Sequence, residues 1–225
     1  MPTSWIIHQT PLPASFQQKA IGLLGPLWPA KFLPPLPLIL LDGAAQFRHL
    51  PYQKSTEESM PAVAAYPQYR VGDGDTYPGN AQEFELLLDP HKDVSDLAAA
   101  LAIIPPVVQE LYLYGLRGGR RDHEWAILGE ITAFLAHRPS LKILDEDFIA
   151  LPAGEHHFAF QGRFSVLSLD PNQITLTGNI AYPLLAPTEL RPLVSRGISN
   201  IAHGPWQITA TRPFFLFQQG IPRWP

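Results

Sequence analysis

The sequence predicts two domains: residues 1–145 as a mainly parallel, Rossmann-like α/β sandwich, and residues 146–225 as a small C-terminal β-sandwich. Between residues 37 and 145, short apolar runs alternate with helix-like stretches, the pattern of an α/β sheet. Beyond about residue 146 the runs become short, alternating and separated by Pro, Gly, Asn and Asp, with no helical period. The 46% apolar content of the 225 residues supplies a sizeable core.

Each element has its own signal. "PLILLDG" (37–43) is a buried strand tipped by a carboxylate, and "YRVGDGDTYPG" (69–79) is a second strand running into an acidic, glycine-rich turn. "EFELLLD" (83–89) is a third strand. "KDVSDLAAALAII" (92–104) is a helix with Asp93 as the expected N-cap, stopped by Pro105 and Pro106. "ELYLYG" (110–115) is a fourth strand, 122–136 a second helix and "SLKILD" (140–145) a fifth strand. Residues 48–68 read as loop or short helix, and the proline cluster at 26–37 as an extended lead into a strand. "HHFAFQGRFSVLSLD", "QITLTGNIAYPL" and "WQITATRPFFLFQ" are the β-domain runs.

Composition excludes several classes. A net charge of −4 argues against general nucleic-acid or membrane-surface binding, so any cationic site is local. The absence of cysteine removes disulfides, thiolate metal sites and thiol nucleophiles. It fits a reducing compartment; a cytoplasmic location is expected, since no signal-peptide pattern opens the chain. Residues 22–41 are apolar, but five prolines and Lys31 make a membrane helix a poor reading.

In open α/β sheets, ligands bind beyond the carboxyl ends of the strands, and here those ends carry polar groups. Asp42 ends the first predicted strand, Asp73 and Asp75 the second, and Asp93 and Asp96 open the following helix. Asp73-Gly-Asp75 places two like charges on one turn. Either they share a hard cation such as Mg²⁺ or the turn is merely solvated. "GLRGGRRDH" sets Gly118, Gly119 and Arg120 before a helix. Its backbone N–H groups and guanidinium suit a phosphate, although a plain strand–loop–helix connection stays open. No P-loop pattern is present. "RGISN" (196–200) either offers a hydroxyl and an amide to a polar heterocycle or is a self-satisfied turn. His156 and His157 alternate faces on a strand and do not form a shared metal site.

The order of these motifs resembles thiamine pyrophosphokinases along nearly the whole chain from about residue 37. "LLDGAAQF", "VGDGDTYPG", "KDVSDLAAAL", "GLRGGRRDH", "FSVLSL", "ITLTGNIAYPL" and "RGISN" are each similar to a family segment, in the family's order. The resemblance implies an α/β domain joined to a β-sandwich, and a homodimer with active sites shared between subunits. It implies transfer of diphosphate from ATP to the thiamine hydroxyl, releasing AMP, with Mg²⁺ as cofactor. By the same resemblance Asp73, Asp75 and Asp96 are the metal-binding and catalytic carboxylates, and Asp42, the acidic residue of the first motif, is a further catalytic residue. Lys92, Asp93, Gly118, Gly119, Arg120, Asp122 and His123 lie on the nucleotide side. Ser199 and Asn200 face the thiamine pyrimidine.

The chain also departs from the family. Ala44 replaces a glycine, Gly74 an aromatic, Thr76 a serine and Val94 a polar residue, and Glu124-Trp125-Ala126-Ile127 stands where the family has Thr-Leu-Ala-Asn. Residues 1–36 lack its usual opening strand, for which "TSWIIHQ" is the weak substitute. Two further readings are therefore open: a diphosphokinase for another heterocyclic alcohol, such as a pterin, and a nucleotide- or thiamine-binding homologue without turnover.

Overall fold

The computed structural model describes residues 5–27, 36–49 and 66–218. The chain forms two compact units, 1–127 and 128–225.

The first unit is built on strands β1 (Ile6–Gln9), β2 (Ala20–Leu24), β3 (Leu38–Leu41), β4 (Gln68–Gly72), β5 (Leu86–Leu88) and β6 (Glu110–Tyr114). Their spatial order is β1-β5-β4-β3-β2-β6, parallel throughout except for β1, which runs antiparallel along β5. Strand β3 is Leu-Ile-Leu-Leu with every residue buried, the composition of a parallel strand covered on both faces. Tyr69, Val71, Leu111 and Leu113 add fully or almost fully buried side chains from β4 and β6.

Strand β2 is absent from the sequence reading, which sought an opening strand in "TSWIIHQ". That segment instead supplies the antiparallel edge β1, and the central strand is Ala-Ile-Gly-Leu-Leu. Gly22 broke its apolar pattern. A Cβ there would lie 2.6 Å from Leu38 Cδ2, so the close packing of β2 on β3 requires glycine.

The chain steps outward from β2 through β3 and β4 to β5, then returns to the other flank of β2 as β6. The direction of connection reverses between β2 and β6, the place where such sheets open a crevice. Here the two strand tips touch through their backbones. Gly25 N–H donates to the Tyr114 carbonyl (2.7 Å), and a Cβ on Gly25 would sit 2.5 Å from the Gly115 carbonyl oxygen.

Helix α1 is Asp96–Ala102 and α2 is Arg121–Leu135. The N-cap of α1 is Ser95, whose hydroxyl accepts the Ala98 N–H (3.0 Å); Asp93, the expected cap, lies exposed ahead of it. These are the only α-helices among the described residues, fewer than strict strand–helix alternation implies, and Asp42–His49 is a 3-10 helix. The expectations for residues 28–35 and 50–65 fall outside the described residues.

The second unit carries β7 (Lys142–Leu144), β8 (Phe148–Leu151), β9 (Gly154–Phe158), β10 (Gly162–Leu167), β11 (Asn172–Ile180), β12 (Leu184–Leu190), β13 (Asn200–Ala210) and β14 (Phe214–Gln218). Pairing is antiparallel in the order β7-β8-β14-β10-β13-β11-β12. The long strand β13 changes partner along its length, meeting β10 through Asn200–Ala202 and β9 through Trp206–Ala210. Trp206 is sandwiched between Phe158 (ring centroids 4.5 Å apart) and Phe164 (4.2 Å) at the centre of the core. Asn172, fully buried, staples the start of β11 to the turn after β13. Its Oδ1 accepts the N–H groups of Thr211 and Arg212, each at 3.0 Å, and its amide donates to the Arg212 carbonyl at 2.9 Å. The chain is thus sheet-rich, a mixed α/β unit and an antiparallel unit.

Candidate active site

Parallel strands deliver their carboxyl ends to one rim, and β3 and β4 are neighbours with Leu41 beside Val71. The residues that follow them meet. Asp42, Asp73 and Asp75 each place a carboxylate oxygen within 4.8 Å of the others. Asp42 is buried, with a backbone φ of 33°, a left-handed conformation that costs a non-glycine residue about 1–2 kcal/mol. Its Oδ1 accepts the Gly74 N–H (2.8 Å), and its Oδ2 accepts the Thr76 N–H (3.2 Å) and the Thr76 hydroxyl. Asp73 Oδ1 accepts the Asp75 N–H (3.2 Å) and its Oδ2 is bonded by Lys92 Nζ.

Asp96 stands on the other side of Lys92, 3.2 Å from its Nζ, and is not one of the trio of converging carboxylates. The metal set read from the sequence, Asp73, Asp75 and Asp96, is thus arranged differently. Asp42 joins the paired acids, and an ammonium group separates Asp96 from Asp73. The Lys92 side chain is 7% exposed. The resemblance places it on the nucleotide side; here it pairs with Asp73 and lies beside Asp96.

The electrostatics follow from that crowding. Burial pushes the Asp96 carboxyl up to about 6; Lys92 opposes the shift, and Asp42 and Asp73 add to it. Burial, then the negative charges of Asp73 and Asp42, raise Asp75 as well. Burial alone would raise Asp73, but the Lys92 bond and the Asp75 N–H hold it below the ordinary carboxylate range. Lys92 is itself raised: burial disfavours its charge, yet Asp73 and Asp96 outweigh that. Several acids thus face one ammonium, leaving negative charge on a rim of all-oxygen ligands. That donor set fits a hard divalent cation.

The loop after β6 lies in the same unit. Gly115 and Gly118 take positive φ (62° and 105°), and Gly118, Gly119, Arg120, Asp122 and His123 are exposed. Three of its donor groups are engaged within the chain. Gly118 N–H donates to Glu124 Oε1 (2.9 Å), Arg120 pairs with Asp122, and Arg121 lies 3.5 Å from Glu124 Oε2. Glu124 is one of the departures noted in the sequence, and it holds the Gly118 N–H.

In the β unit, Ser199 is exposed with φ 61°, and its N–H donates to Ser165 Oγ (3.0 Å). Asn200 is 5% exposed and its amide is committed. Oδ1 accepts from Tyr182 N–H (3.1 Å) and Ile201 N–H (2.8 Å), and Nδ2 donates to the Tyr182 carbonyl (2.8 Å). Asn200 therefore grips both backbone groups of Tyr182, a residue that is 65% exposed. The sequence reading passed over Tyr182. Nothing in "NIAYPL" separates a clamped, outward-facing tyrosine from one that packs inward.

Beyond the described residues' own geometry, the architecture has counterparts. The fold is that of thiamine pyrophosphokinases. The structure of thiamin pyrophosphokinase from Geobacillus thermodenitrificans superposes with a TM-score of 0.64 at 18% identity, over 91% of this chain and 100% of that one. A thiamin pyrophosphokinase family protein from Enterococcus faecalis gives 0.64 at 18% identity over 89% and 98%. Thiamin pyrophosphokinase from Candida albicans gives 0.59 at 13% over 94% and 97%. No protein-family model matches the chain, and no curated protein sequence matches it. The resemblance carried by the motifs is thus matched at the level of fold, with sequence far diverged.

Proposed function

We propose that the chain is a Mg²⁺-dependent diphosphokinase that transfers diphosphate from ATP to the hydroxyl of thiamine, giving thiamine diphosphate and AMP. One observation carries the reading: the carboxylates of Asp42, Asp73 and Asp75 converge at the tips of adjacent parallel strands, on a fold shared with thiamine pyrophosphokinases.

Asp73 and Asp75 would hold the divalent ion, and Asp96 would add negative charge from across Lys92. A bound Mg²⁺ supplies charge neutralisation and orientation for the polyphosphate. The acceptor oxygen attacks the β-phosphorus, the bond from that phosphorus to the α-phosphate bridging oxygen breaks, AMP departs, and the hydroxyl proton passes to a carboxylate or water. The chain's part is positioning and electrostatics. Lys92 limits repulsion among the acids, the Gly118–Gly119 backbone and Arg120 receive phosphate oxygens, and Asp93, Asp122 and His123 border the nucleotide. The acceptor's ring is assigned to the β unit, where Ser199 offers a hydroxyl and Asn200 acts by fixing Tyr182. A homodimer in a soluble compartment is the proposed working form.

AMP release with thiamine and Mg·ATP tests the reading. Turnover in the wild type that disappears in Asp73→Asn supports it; no turnover, or turnover unchanged by the substitution, refutes it. A panel of heterocyclic alcohols in the same assay identifies another acceptor. A second reading, binding without turnover, is favoured by one feature: the Gly118 N–H and Arg120 are already held by Glu124 and Asp122. Calorimetric binding of thiamine or ATP without AMP formation distinguishes it.

A further inference from the structure

We propose that Asp42 and Thr76 form a positioning lock that aims Asp73 and Asp75, so that Asp42 serves the site by shaping a turn and Thr76, assigned no role above, is required for ion binding. The inference rests on the divalent-ion reading of the acid rim.

Asp42 uses its carboxylate largely on protein donors. Oδ1 takes the Gly74 N–H, and Oδ2 takes both the N–H and the hydroxyl of Thr76. Those groups bracket Asp75, so a single side chain on the neighbouring strand tip fixes the turn that presents both acids. Within the turn, Gly74 takes φ 79°, which glycine adopts freely, and the Asp75 N–H donates to Asp73 Oδ1. Against that, Asp75 meets Asp73 across like charge. An anchor that pulls its backbone inward opposes that repulsion.

The surroundings are shaped to admit the lock. A Cβ on Gly72 would lie 2.8 Å from both Cβ and Oδ1 of Asp42, and a Cβ on Gly43 would lie 2.9 Å from Thr76 Oγ1. Both glycines therefore leave space that the Asp42 carboxylate and Thr76 hydroxyl fill. The left-handed backbone of Asp42 is what turns its carboxylate from the end of β3 toward the β4 turn. Strain at a residue held by several hydrogen bonds is the pattern of a site over-determined by its neighbours.

Thr76→Val keeps the shape and removes the hydroxyl; Thr76→Ser keeps the hydroxyl. Two measurements are made on the full-length chain: Mn²⁺ affinity by calorimetry, and hydrogen exchange at the Gly74 and Thr76 amides. Loss of a residue that orients a ligand typically weakens metal affinity about 10- to 100-fold. Thr76→Val should fall in that range and exchange these amides about tenfold faster, with its thermal midpoint retained. Thr76→Ser should stay within about twofold of wild type. Gly72→Ala, which crowds Asp42 from below, should reproduce the Thr76→Val effect.

If the wild type binds Mn²⁺ and Thr76→Val binds it equally, the lock is overturned and the ion site stands. If the wild type binds no Mn²⁺, the ion reading falls, and the exchange rates alone decide the lock: unchanged rates overturn it, faster rates support it.

Discussion

Strand β4 carries two clusters of charge that are built differently. Midway along it, Arg70 spends all three guanidinium nitrogens: its Nε and Nη2 make a fork to Glu85 (2.8 and 2.6 Å), its Nη1 reaches Glu83 at 3.2 Å, and its own N–H also donates to Glu85 (2.8 Å). Just beyond the end of the strand, Asp73 pairs with Lys92 but also meets Asp42 and Asp75, three carboxylates that converge on one another. In the first cluster the acids are gathered around a cation. In the second, like charges are brought together. Buried polar groups that have spent their capacity report on folding; those that have not report on a ligand.

The widest separation between the clusters should come from removing one member of each. Asp73→Asn should lower AMP formation by about a thousandfold or more and cost only modest stability, because Lys92 loses Asp73 but keeps Asp96 beside it. Arg70→Met should leave the acid rim in place. It strands the Glu85 carboxylate and should reduce stability by about 3–5 kcal/mol in chemical denaturation. An Asp73→Asn variant destabilised as much as Arg70→Met would break the contrast.

Acid and base should sort the two clusters next. Burial would raise Glu85, but the Arg70 bonds hold it below the ordinary carboxylate range, so its stabilisation is present above that range and lost as pH falls through the depressed value. Asp96 is raised to about 6, so its contribution has the opposite sign. Stability from its neutral form is full below the ordinary carboxylate range and lost as pH rises through that value. Asp96→Asn, without divalent ion, should therefore raise stability near neutral pH by roughly 1–2 kcal/mol after allowance for solvent screening. The thermal midpoint against pH for both variants checks the signs. A smaller effect belongs to the loop after β6. Glu124→Gln weakens a competitor for the Gly118 N–H and should tighten ATP binding about three- to tenfold by calorimetry.

Legibility in the sequence followed the same division. Apolar runs such as "LILL" report strands because burial on both faces leaves no choice of residue. Their acidic ends report the rim because a parallel sheet gathers strand ends. The convergence of Asp42, Asp73 and Asp75 was foreseeable on those grounds. Strand β2 was not, since Gly22 serves a contact with Leu38 that no local pattern contains. Ser95 displaced Asp93 as the cap because both are capping residues and register alone decides between them. The position of Asp96 across Lys92, and the commitment of Asn200 to Tyr182, depend on where side chains end rather than where residues lie along the chain. Residue spacing carries little of that information.

The contact between Gly25 and the end of β6 has a consequence for plasticity. Backbone lies directly on backbone there, with the Leu116 side chain packed alongside. The spacing of β2 and β6 at that seam is set by main-chain contact. Any adjustment of shape along this rim falls to the segments beyond the strands, the turn after β4 and the exposed glycines after β6, while the sheet beneath keeps its spacing.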